Sequence, residues 1–347
     1  MTSEHDTQAP LSPGPLMQLT AGFWGFKTFA ASIDIGLYDL LDQRRGATVD
    51  EVAKALELRH RPADLLLAAC ASLGLLDKHA DRYLNSPLAD EFLVTGRPRY
   101  FGGYVRFCDQ REYPAWHRVT DALRTDRPVT WDPDTQDSVF SAEDPVMLEL
   151  FWEAMHSISV STAQTLAQVH DFTTHTRLLD VGGGSAAFPI ELCQRYPHLS
   201  ASVYDLPHGC RIAEKKIRAA GLDHVIGTVG GDFLRDDTLP GGHDVALLSM
   251  ILHDWDEPTG RSLLRKCRAA LPADGTLLIC ELLLNDERTG PPSAALMGMN
   301  MLVESVGGKN YSGAEYTTWL SEEGFTSIQI TPLDTAGANA VITAHPA

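Results

Sequence analysis

The sequence predicts an α/β protein whose C-terminal half forms a parallel β-sheet with helices on both faces, preceded by a mostly α-helical N-terminal part. Before about residue 170 the apolar residues recur with helical spacing, and beyond it short apolar runs alternate with helical segments. Such alternation builds a parallel sheet that is covered on both sides. Seven strands are predicted to begin near Arg177, Ala201, Val225, Asp244, Thr276, Ser327 and Ala340. The last two lie close together in the chain, which indicates an antiparallel hairpin at one end of the sheet.

The N-terminal part has the pattern of a winged helix. Residues 48–56 begin with Thr48, a good helix N-cap, and place acids in the first turn. An apolar helix is predicted over residues 62–75 and a short β-wing over residues 76–84. Acids and bases are about balanced here, and the second helix offers few cations for phosphates, so the module is predicted to mediate dimerisation rather than DNA binding. Residues 21–41 are too apolar for a lone surface helix and are predicted to pack against a partner chain.

Composition narrows the class of protein. A chain of 347 residues with 44% hydrophobic residues can form about two domains with a large core. Its formal net charge of -18 argues against a general nucleic-acid binder. The six cysteines have no C-x-x-C spacing, which is typical of reduced thiols in a cytoplasmic protein. No apolar run approaches the length of a membrane span, and the N-terminus lacks the pattern of a signal peptide.

A glycine-rich turn follows the first predicted strand of the sheet. The run Leu179-Asp180-Val181-Gly182-Gly183-Gly184 takes a buried strand directly into glycines, and residues 187–195 form the next helix. Glycine permits positive φ and lets a ligand touch the backbone. The same glycines also fit a dinucleotide fingerprint or a plain tight turn, so this motif alone leaves the ligand open.

Acidic residues at three neighbouring turns favour one cofactor class. Asp180 ends the first strand, Asp205 the second, and Asp232 follows the third, with no Lys or Arg expected in these turns. A pyrophosphate needs bare backbone N–H groups at a helix N-terminus, and a carboxylate there would repel it. A cofactor with a ribose, an adenine and a cationic amino acid but no phosphate fits all three acids. S-adenosylmethionine is such a molecule.

Each of these acids has a predicted role. Asp205 would bind the ribose hydroxyls, about twenty residues after the glycines. Asp232 and Phe233 would bracket the adenine, and Asp180 would face the cationic methionine end through water. The sequence therefore predicts a complete binding site for an adenosyl sulfonium.

A histidine lies at the end of the fourth strand, in Ile251-Leu252-His253-Asp254-Trp255. The carboxyl ends of strands in such sheets face the ligand crevice. A histidine there can remove a proton near neutral pH, and methyl transfer from an activated sulfonium needs mainly positioning and a base for the acceptor. The alternative is that His253 only caps the helix that begins near Pro258.

Together these motifs resemble one known family, the class I O-methyltransferases with an N-terminal winged-helix dimerisation domain. That family includes plant small-molecule methyltransferases and bacterial enzymes that tailor natural products in secondary metabolism and antibiotic biosynthesis. The matching segments are Leu179-Asp180-Val181-Gly182-Gly183-Gly184, Asp205-Leu206-Pro207, Gly231-Asp232-Phe233, Ile251-Leu252-His253-Asp254-Trp255, Glu281, Gly307-Gly308-Lys309 and Phe151-x-x-x-Met155-x-x-x-Ser159. The resemblance implies a Rossmann-like seven-stranded methyltransferase domain, a homodimer, S-adenosylmethionine, and His253 as a general base oriented by Glu281.

The motifs and the resemblance assign residues to three parts of a site. The expected catalytic residues are His253, Glu281 and Asp254. The expected cofactor-binding residues are Asp180, Gly182, Gly184, Asp205, Leu206, Asp232, Phe233, Ser249 and Ser159. The expected substrate-binding residues are Phe151, Trp152, Met155, Met250, Met301 and Ser305, with Met297 and Leu302 nearby. Methionine-rich walls are adaptable and apolar, which suits a modest aromatic or branched substrate. The stripe of residues 151, 155 and 159 could also be ordinary core packing.

Three positions depart from the family pattern. Ala186 stands where a further glycine is common, and Ser249-Met250 stand where many members carry a basic residue. Asn310 replaces a glutamate that would flank His253, so one of two carboxylates expected to raise the basicity of the histidine is missing.

These departures keep other functions open. One is metal-assisted C-methylation of an enolisable α-keto acid, in which His253, Met250 and Glu304 would hold a divalent or ferric metal as a Lewis acid. Two others are an NAD-dependent oxidoreductase and a non-catalytic member that binds S-adenosylmethionine. In each case the expected partner is a small molecule, with no nucleic acid and no membrane.

The predicted domain boundaries follow from these assignments. Residues 1–15 are expected to form a disordered arm and residues 16–100 the winged-helix-like dimerisation domain. Residues 101–170 would form a helical linker and substrate-lid region, and residues 171–347 the Rossmann-like catalytic domain that binds S-adenosylmethionine.

Overall fold

The computed structural model describes residues 11–136, residue 140 and residues 145–347, with only the backbone of residues 145–148 described. The chain divides into two compact units, Met1–Gly102 and Gly103–Ala347. Residues 1–10 of the predicted disordered arm lie outside the described residues.

The N-terminal unit consists of helices and one β-hairpin. Its helices are α1 (Gly14–Asp34), α2 (Leu37–Arg44), α3 (Val49–Ala55), α4 (His60–Ser72) and α5 (Pro87–Phe92). The strands β1 (Leu76–His79) and β2 (Arg82–Asn85) pair antiparallel and form the predicted wing. Thr48 caps α3 as predicted, because its hydroxyl accepts from the backbone N–H of Glu51 while the Glu51 carboxylate accepts from that of Thr48.

One face of α1 leaves large apolar side chains in solvent. Its core-facing residues Ala30 and Ile33 are buried, whereas Phe23 is 50% exposed and Trp24 is 58% exposed. Further exposed apolar residues on this helix are Leu16, Met17 and Leu19. A run of this kind is larger than the scattered apolar residues of an ordinary surface.

The C-terminal unit is built on a seven-stranded sheet, which confirms the predicted fold class. Its strands are β3 (Arg177–Val181), β4 (Ser200–Asp205), β5 (Ile226–Gly230), β6 (Val245–Ser249), β7 (Thr276–Glu281), β8 (Phe325–Pro332) and β9 (Ala340–Pro346). The order across the sheet is β5-β4-β3-β6-β7-β9-β8. The first five strands are parallel, and β9 runs antiparallel to both β7 and β8, as the predicted C-terminal hairpin requires.

Helices cover both faces of the sheet. Those that follow α5 are α6 (Gly102–Phe107), α7 (Tyr113–Trp116), α8 (Val119–Thr125), α9 (Pro145–Val169), α10 (Ala187–Arg195), α11 (Pro207–Ala219), α12 (Glu257–Ala270), α13 (Pro292–Glu304) and α14 (Gly313–Glu322). A π-helix spans Cys108–Glu112, and a 3₁₀ turn spans Leu252–Asp254.

Alternate residues of the central strands pack into two separate cores, one on each face of the sheet. Leu178 and Leu247 pack into the core on one face with Phe172, whereas Leu179 and Leu248 pack into the core on the other. The central strands are therefore apolar on both faces, which explains why their sequences are continuous apolar runs rather than alternating ones.

The strand order creates a crevice at the carboxyl ends of β3 and β6. The chain leaves β3 toward β4 and β5 on one side and then returns to β6 and β7 on the other. The connections after β3 and β6 consequently diverge, and the edge between them opens as the usual ligand site of such sheets.

Two further observations concern the whole of the described chain. All six cysteines are free. Within the described ranges, we find no helix that combines the length and the apolarity needed to cross a bilayer.

The carboxylate of Asp244 joins the beginning of β3 to that of β6. It accepts from the Thr176 backbone N–H at 2.8 Å, the Thr176 hydroxyl at 2.5 Å and the Arg177 backbone N–H at 3.0 Å. We expect Asp244→Ala to lower the free energy of unfolding by about 1–3 kcal/mol, because two backbone donors lose a charged acceptor. Urea titration measures this. Asp274→Ala, at an exposed loop residue, is the matched control, and an equal effect of the two variants would contradict the role of Asp244.

Candidate active site

Two adjoining cavities lie at the carboxyl edge of the sheet, entirely within the C-terminal unit. The larger cavity has a volume of about 140 Å³ and the smaller one about 130 Å³. They share the lining residues Phe140, Trp152, Gly182, Ile251 and Asp254. A ligand in one cavity can therefore reach a ligand in the other.

The smaller cavity collects the residues predicted to hold a ribose and an adenine. Asp205, Leu206, Asp232 and Phe233 all line it. The Asp205 carboxylate accepts from the backbone N–H of Gly184 at 2.8 Å and from that of Leu206 at 2.7 Å. Burial raises the pKa of Asp205 to about 6, although these two bonds lower it. Asp205 thus ties the glycine turn to the end of β4.

The expectation that these turns carry no cation is wrong at one position. The loop after β5 brings Arg235 into the lining of the smaller cavity, with its Nε 3.5 Å from the Asp232 carboxylate. The side chain lies three residues beyond Asp232 on the same turn of the backbone, which the strand-end pattern alone does not show. Its charge is offset by Asp232.

The glycine turn has no room for side chains. Gly182 and Gly184 have φ of 70° and 53°, and a Cβ at Gly184 would fall on the ring of Trp152. A Cβ at Gly183 would likewise fall on the Asp180 carboxylate. Ala186, at the position where the family often has glycine, is fully buried and also left-handed, with φ of 62°. An L-residue other than glycine is strained in this region by roughly 1–2 kcal/mol.

Five buried polar atoms in the linings find no hydrogen-bond partner among the described residues. They are Oδ2 of Asp180, Oε1 of Glu304, Nε1 of Trp152, Nε1 of Trp255 and Nε2 of His208. Asp180 is 2% exposed, and burial, together with the charge of Asp205, raises the pKa of its carboxyl to about 8. An unpaired buried carboxyl is destabilising by itself, so the position suits a cationic ligand group.

The histidine expected to act as the base is held by one carboxylate. His253 lies in the 3₁₀ turn after β6, and its Nδ1–H donates to Oε2 of Glu281 at 2.6 Å. Oε1 of Glu281 accepts from the backbone N–H groups of Ile251 at 3.1 Å and Leu252 at 2.9 Å. This carboxylate therefore fixes both the turn and the imidazole, and it leaves Nε2 for the larger cavity that His253 lines.

The charges around His253 make it basic. Burial by itself lowers the pKa of the imidazole, but the charges of Glu281 and Asp254 and the hydrogen bond that His253 donates to Glu281 raise it to about 9. Oδ1 of Asp254 lies 3.7 Å from Nε2 of His253, beyond hydrogen-bond distance. Burial raises the pKa of Asp254 to about 6, while the charge of His253 lowers it.

The alternative role of His253 as a helix cap is wrong. Helix α12 begins at Glu257, and its N-cap is Asp256, whose carboxylate accepts from the Thr259 backbone N–H at 3.0 Å. His253 therefore does not cap α12.

Most of the expected substrate residues meet in the larger cavity. Its lining includes Phe151, Trp152, Met155, Ser159, Ser249, Met250, Met297 and Met301. Ser305, which was predicted to bind the substrate, lies outside both linings. Its hydroxyl donates to the backbone carbonyl of Met301 at 2.9 Å. Ser305 is the C-cap that follows α13, so its side chain bonds back to the last helical turn.

Asn310 does not stand in for the missing glutamate at the cavity wall. It is buried outside both linings, and its amide donates to the backbone carbonyl of Leu282 at 2.7 Å. Asp254, on the other side of the imidazole ring, is the second carboxylate that acts on His253.

One wall of the larger cavity was not foreseen from the sequence. Arg111, Glu112, Asn300 and Glu304 line it, and we call these four residues the polar wall. Arg111 and Glu112 come from the π-helix, which has no recognisable sequence signal. Glu304 was expected only as a metal ligand, but its Oε2 is bound by Arg111 and Thr130. In the part of the chain that the structure describes, no group of three or more His, Cys, Asp or Glu residues is placed to hold a metal ion.

Comparison with known proteins establishes the family. A model of the O-methyltransferase domain matches residues 116–326, and a model of the O-methyltransferase dimerisation domain matches residues 17–95. The chain belongs to the O-methyltransferase family. It is 46% identical over 330 residues to the 3-hydroxy-5-methyl-1-naphthoate 3-O-methyltransferase of Streptomyces sahachiroi, which covers 95% of this chain and 94% of that protein.

Two other relatives agree. The tetracenomycin polyketide synthesis 8-O-methyl transferase of Streptomyces glaucescens is 31% identical over 321 residues, covering 92% of this chain and 93% of that protein. The crystal structure of human N-acetylserotonin methyltransferase in complex with SAM superposes with a TM-score of 0.85 at 25% identity, covering 100% of this chain and 99% of that chain. This methyltransferase therefore acts on a small molecule and uses S-adenosylmethionine, as predicted. The alternatives of an NAD-dependent oxidoreductase and a non-catalytic member are overturned.

The unpaired carboxyl of Asp180 makes cofactor affinity dependent on pH. With a pKa of about 8, the free carboxyl is mostly protonated at neutral pH, and a bound cation lowers that pKa. The proton must then leave on binding, so affinity for adenosylhomocysteine should rise toward pH 8 by up to about tenfold per pH unit and level off above it. Isothermal titration between about pH 6.5 and 8 measures this. Asp180→Asn should flatten the dependence; an equally steep dependence in that variant would contradict the assignment.

Proposed function

We propose that this methyltransferase methylates a phenolic hydroxyl of a small aromatic molecule of secondary metabolism, with His253 as the general base. The observation that carries the proposal is the His253–Glu281 pair, which presents Nε2 of a basic imidazole to the larger cavity. The name of the naphthoate 3-O-methyltransferase that shares 46% identity supports a fused aromatic acceptor.

The shape and chemistry of the larger cavity support an aromatic acceptor. Phe107, Phe140 and Phe151 contribute aromatic edges, and Met155 and Met301 contribute flexible thioethers. Sulfur–aromatic contacts of this kind are favourable by roughly 0.3–1.5 kcal/mol each. A flat apolar ring would therefore be held between these side chains with its hydroxyl directed at His253.

The residues of the two cavities divide the chemistry between them. S-adenosylmethionine, when bound, supplies a methyl group on a sulfonium. Asp205, Asp232 and Phe233 would hold the nucleoside, and Asp180 would face its cationic amino-acid end. Trp152 and Gly182 line both cavities, so they would lie where the methyl group meets the acceptor.

His253 removes the proton of the acceptor hydroxyl at Nε2. Glu281 accepts from Nδ1–H, so its carboxylate stabilises the imidazolium that forms. With a pKa of about 9 the free enzyme holds His253 protonated at neutral pH, and a cation bound in the adjoining cavity would lower this pKa. Cofactor binding would therefore increase the fraction of neutral imidazole.

We further propose a cytoplasmic homodimer, with the domain boundaries given above. The match to a dimerisation domain and the exposed apolar face of α1, which includes Phe23 and Trp24, support an isologous interface. The free state of all six cysteines supports a reducing compartment.

Removal of the base tests its role directly. His253→Ala should lower turnover by about 10²–10⁴-fold, the usual contribution of a positioned general base. Single-turnover methylation of a naphthol measures this, and adenosylhomocysteine affinity should stay near that of the wild type. Unchanged turnover would show that proximity alone drives the transfer.

The pH profile separates a base from a merely structural histidine. Because the neutral imidazole is the active form, kcat/KM for the acceptor at saturating S-adenosylmethionine should rise with pH and level off below about 9, since the bound cation lowers the pKa of His253. Glu281→Gln removes the charge that raises the pKa of His253, so the rising limb should move to lower pH. The rate should also fall, because the amide oxygen accepts from Ile251 and Leu252 and the amide N–H₂ then donates to Nδ1, which leaves the imidazole proton on Nε2. A limb that stays in place would assign the ionisation to the acceptor and contradict the role of Glu281.

A further inference from the structure

One carboxylate oxygen in the polar wall lacks a partner although the rest of its residue is held firmly. Glu304 is the last residue of α13 and is 8% exposed. Its Oε2 accepts from Nη2 of Arg111 at 2.9 Å and from the Thr130 hydroxyl at 3.0 Å. Its Oε1 is buried and finds no hydrogen-bond donor among the described residues. Such an oxygen in a cavity lining is an acceptor that a donor group on a ligand can satisfy.

The neighbours of Glu304 keep this oxygen in place. Nε1 of Trp131 donates to the Glu304 backbone carbonyl at 2.6 Å, which fixes the end of α13. The amide of Asn300 donates to Glu112 at 2.9 Å and accepts from Nε1 of Trp116 at 2.9 Å. The polar wall is therefore a preorganised network rather than a set of mobile side chains.

The origin of the polar wall also points to function. Arg111 and Glu112 belong to the π-helix Cys108–Glu112. Short π-helices are rare and occur frequently at functional sites. Here the extra residue per turn brings both side chains to the cavity that contains His253.

The charges of the polar wall favour a neutral ligand group over an anion. The one cation of the polar wall, Arg111, is already paired with Glu304. A carboxylate placed against this wall would face the carboxyl groups of Glu304 and Glu112, whereas a neutral donor would not be repelled by them. His253 lines the same cavity, but its Nδ1 is paired with Glu281 and its Nε2 is used for the hydroxyl that is methylated.

We propose that the polar wall is a specificity site for a second hydrogen-bond donor on the acceptor, a hydroxyl or N–H group remote from the hydroxyl that is methylated, which donates to Oε1 of Glu304. This rests on the proposed function, because it assumes that an aromatic acceptor occupies the larger cavity with one hydroxyl at His253. The acceptor is accordingly an aromatic compound with at least two hydrogen-bond donors. The first is the hydroxyl that is methylated, and the second donates to Glu304.

Binding measurements test the proposal independently of turnover. Titration calorimetry in the presence of adenosylhomocysteine compares a naphthalenediol, its monomethyl ether and a methoxynaphthoate. We expect the diol to bind about 10–100-fold more tightly than the ether, because a charged acceptor left without a donor is unfavourable. Equal affinities, or tighter binding of the methoxynaphthoate than of the diol, would overturn the proposal. Failure of the enzyme to methylate any naphthol would instead refute the proposed function.

Two isosteric variants show which residue of the polar wall causes the preference for the diol. In Glu304→Gln the remaining oxygen must accept from Arg111 and Thr130, so the amide N–H₂ replaces Oε1 and faces the ligand donor. The preference for the diol should disappear or reverse. Glu112→Gln, on the same wall, should retain the preference because its oxygen accepts from Asn300. Thermal unfolding and adenosylhomocysteine affinity report whether each variant is folded. Loss of the preference in both variants, or in neither, would contradict the assignment to Glu304.

Discussion

The parallel pairing of β3 with β6 is the constraint on which the site depends. These strands are neighbours in the sheet although β4 and β5 lie between them in the chain. Their carboxyl ends therefore face the same crevice while the following segments leave in different directions. The glycine turn leaves from β3, and the turn that carries His253 leaves from β6. The glycine turn and the turn that carries His253 are adjacent for this reason.

Within that crevice, buried carboxyl groups organise the chemistry in different ways. Glu281 uses both oxygens inside the protein and so acts as a fixed charge that orients His253. Asp205 is bound by two backbone N–H groups. Asp180 and Glu304, in contrast, each leave one oxygen without a partner among the described residues. The satisfied groups stabilise the framework, whereas the unsatisfied ones mark where ligand atoms complete the structure.

The sequence predicts the lining residues of the smaller cavity better than those of the larger one. The residues of the smaller cavity follow strands at fixed positions, so Asp205 and Asp232 were recognisable by their distance from an apolar run. The walls of the larger cavity come from α9, α13 and the π-helix, which lie far apart in sequence. Phe151 and Met301 were identified through the family resemblance, whereas Arg111 and Asn300 were missed. Helical surface residues at such positions resemble ordinary solvated side chains until packing brings them together.

The sequence by itself determined the sheet, the cofactor class and the position of the basic histidine, because these depend on local periodicity and on residues at strand ends. The tertiary structure decided which atoms each side chain of the site contacts. It showed that Asn310 bonds to the backbone of Leu282, that Ser305 turns back on its own helix, and that Arg235 enters the smaller cavity. It also placed Glu304 in the lining of the larger cavity with one oxygen that has no partner among the described residues. Side-chain pairing between distant elements depends on how helices pack across the sheet, and no single segment of the chain encodes that packing.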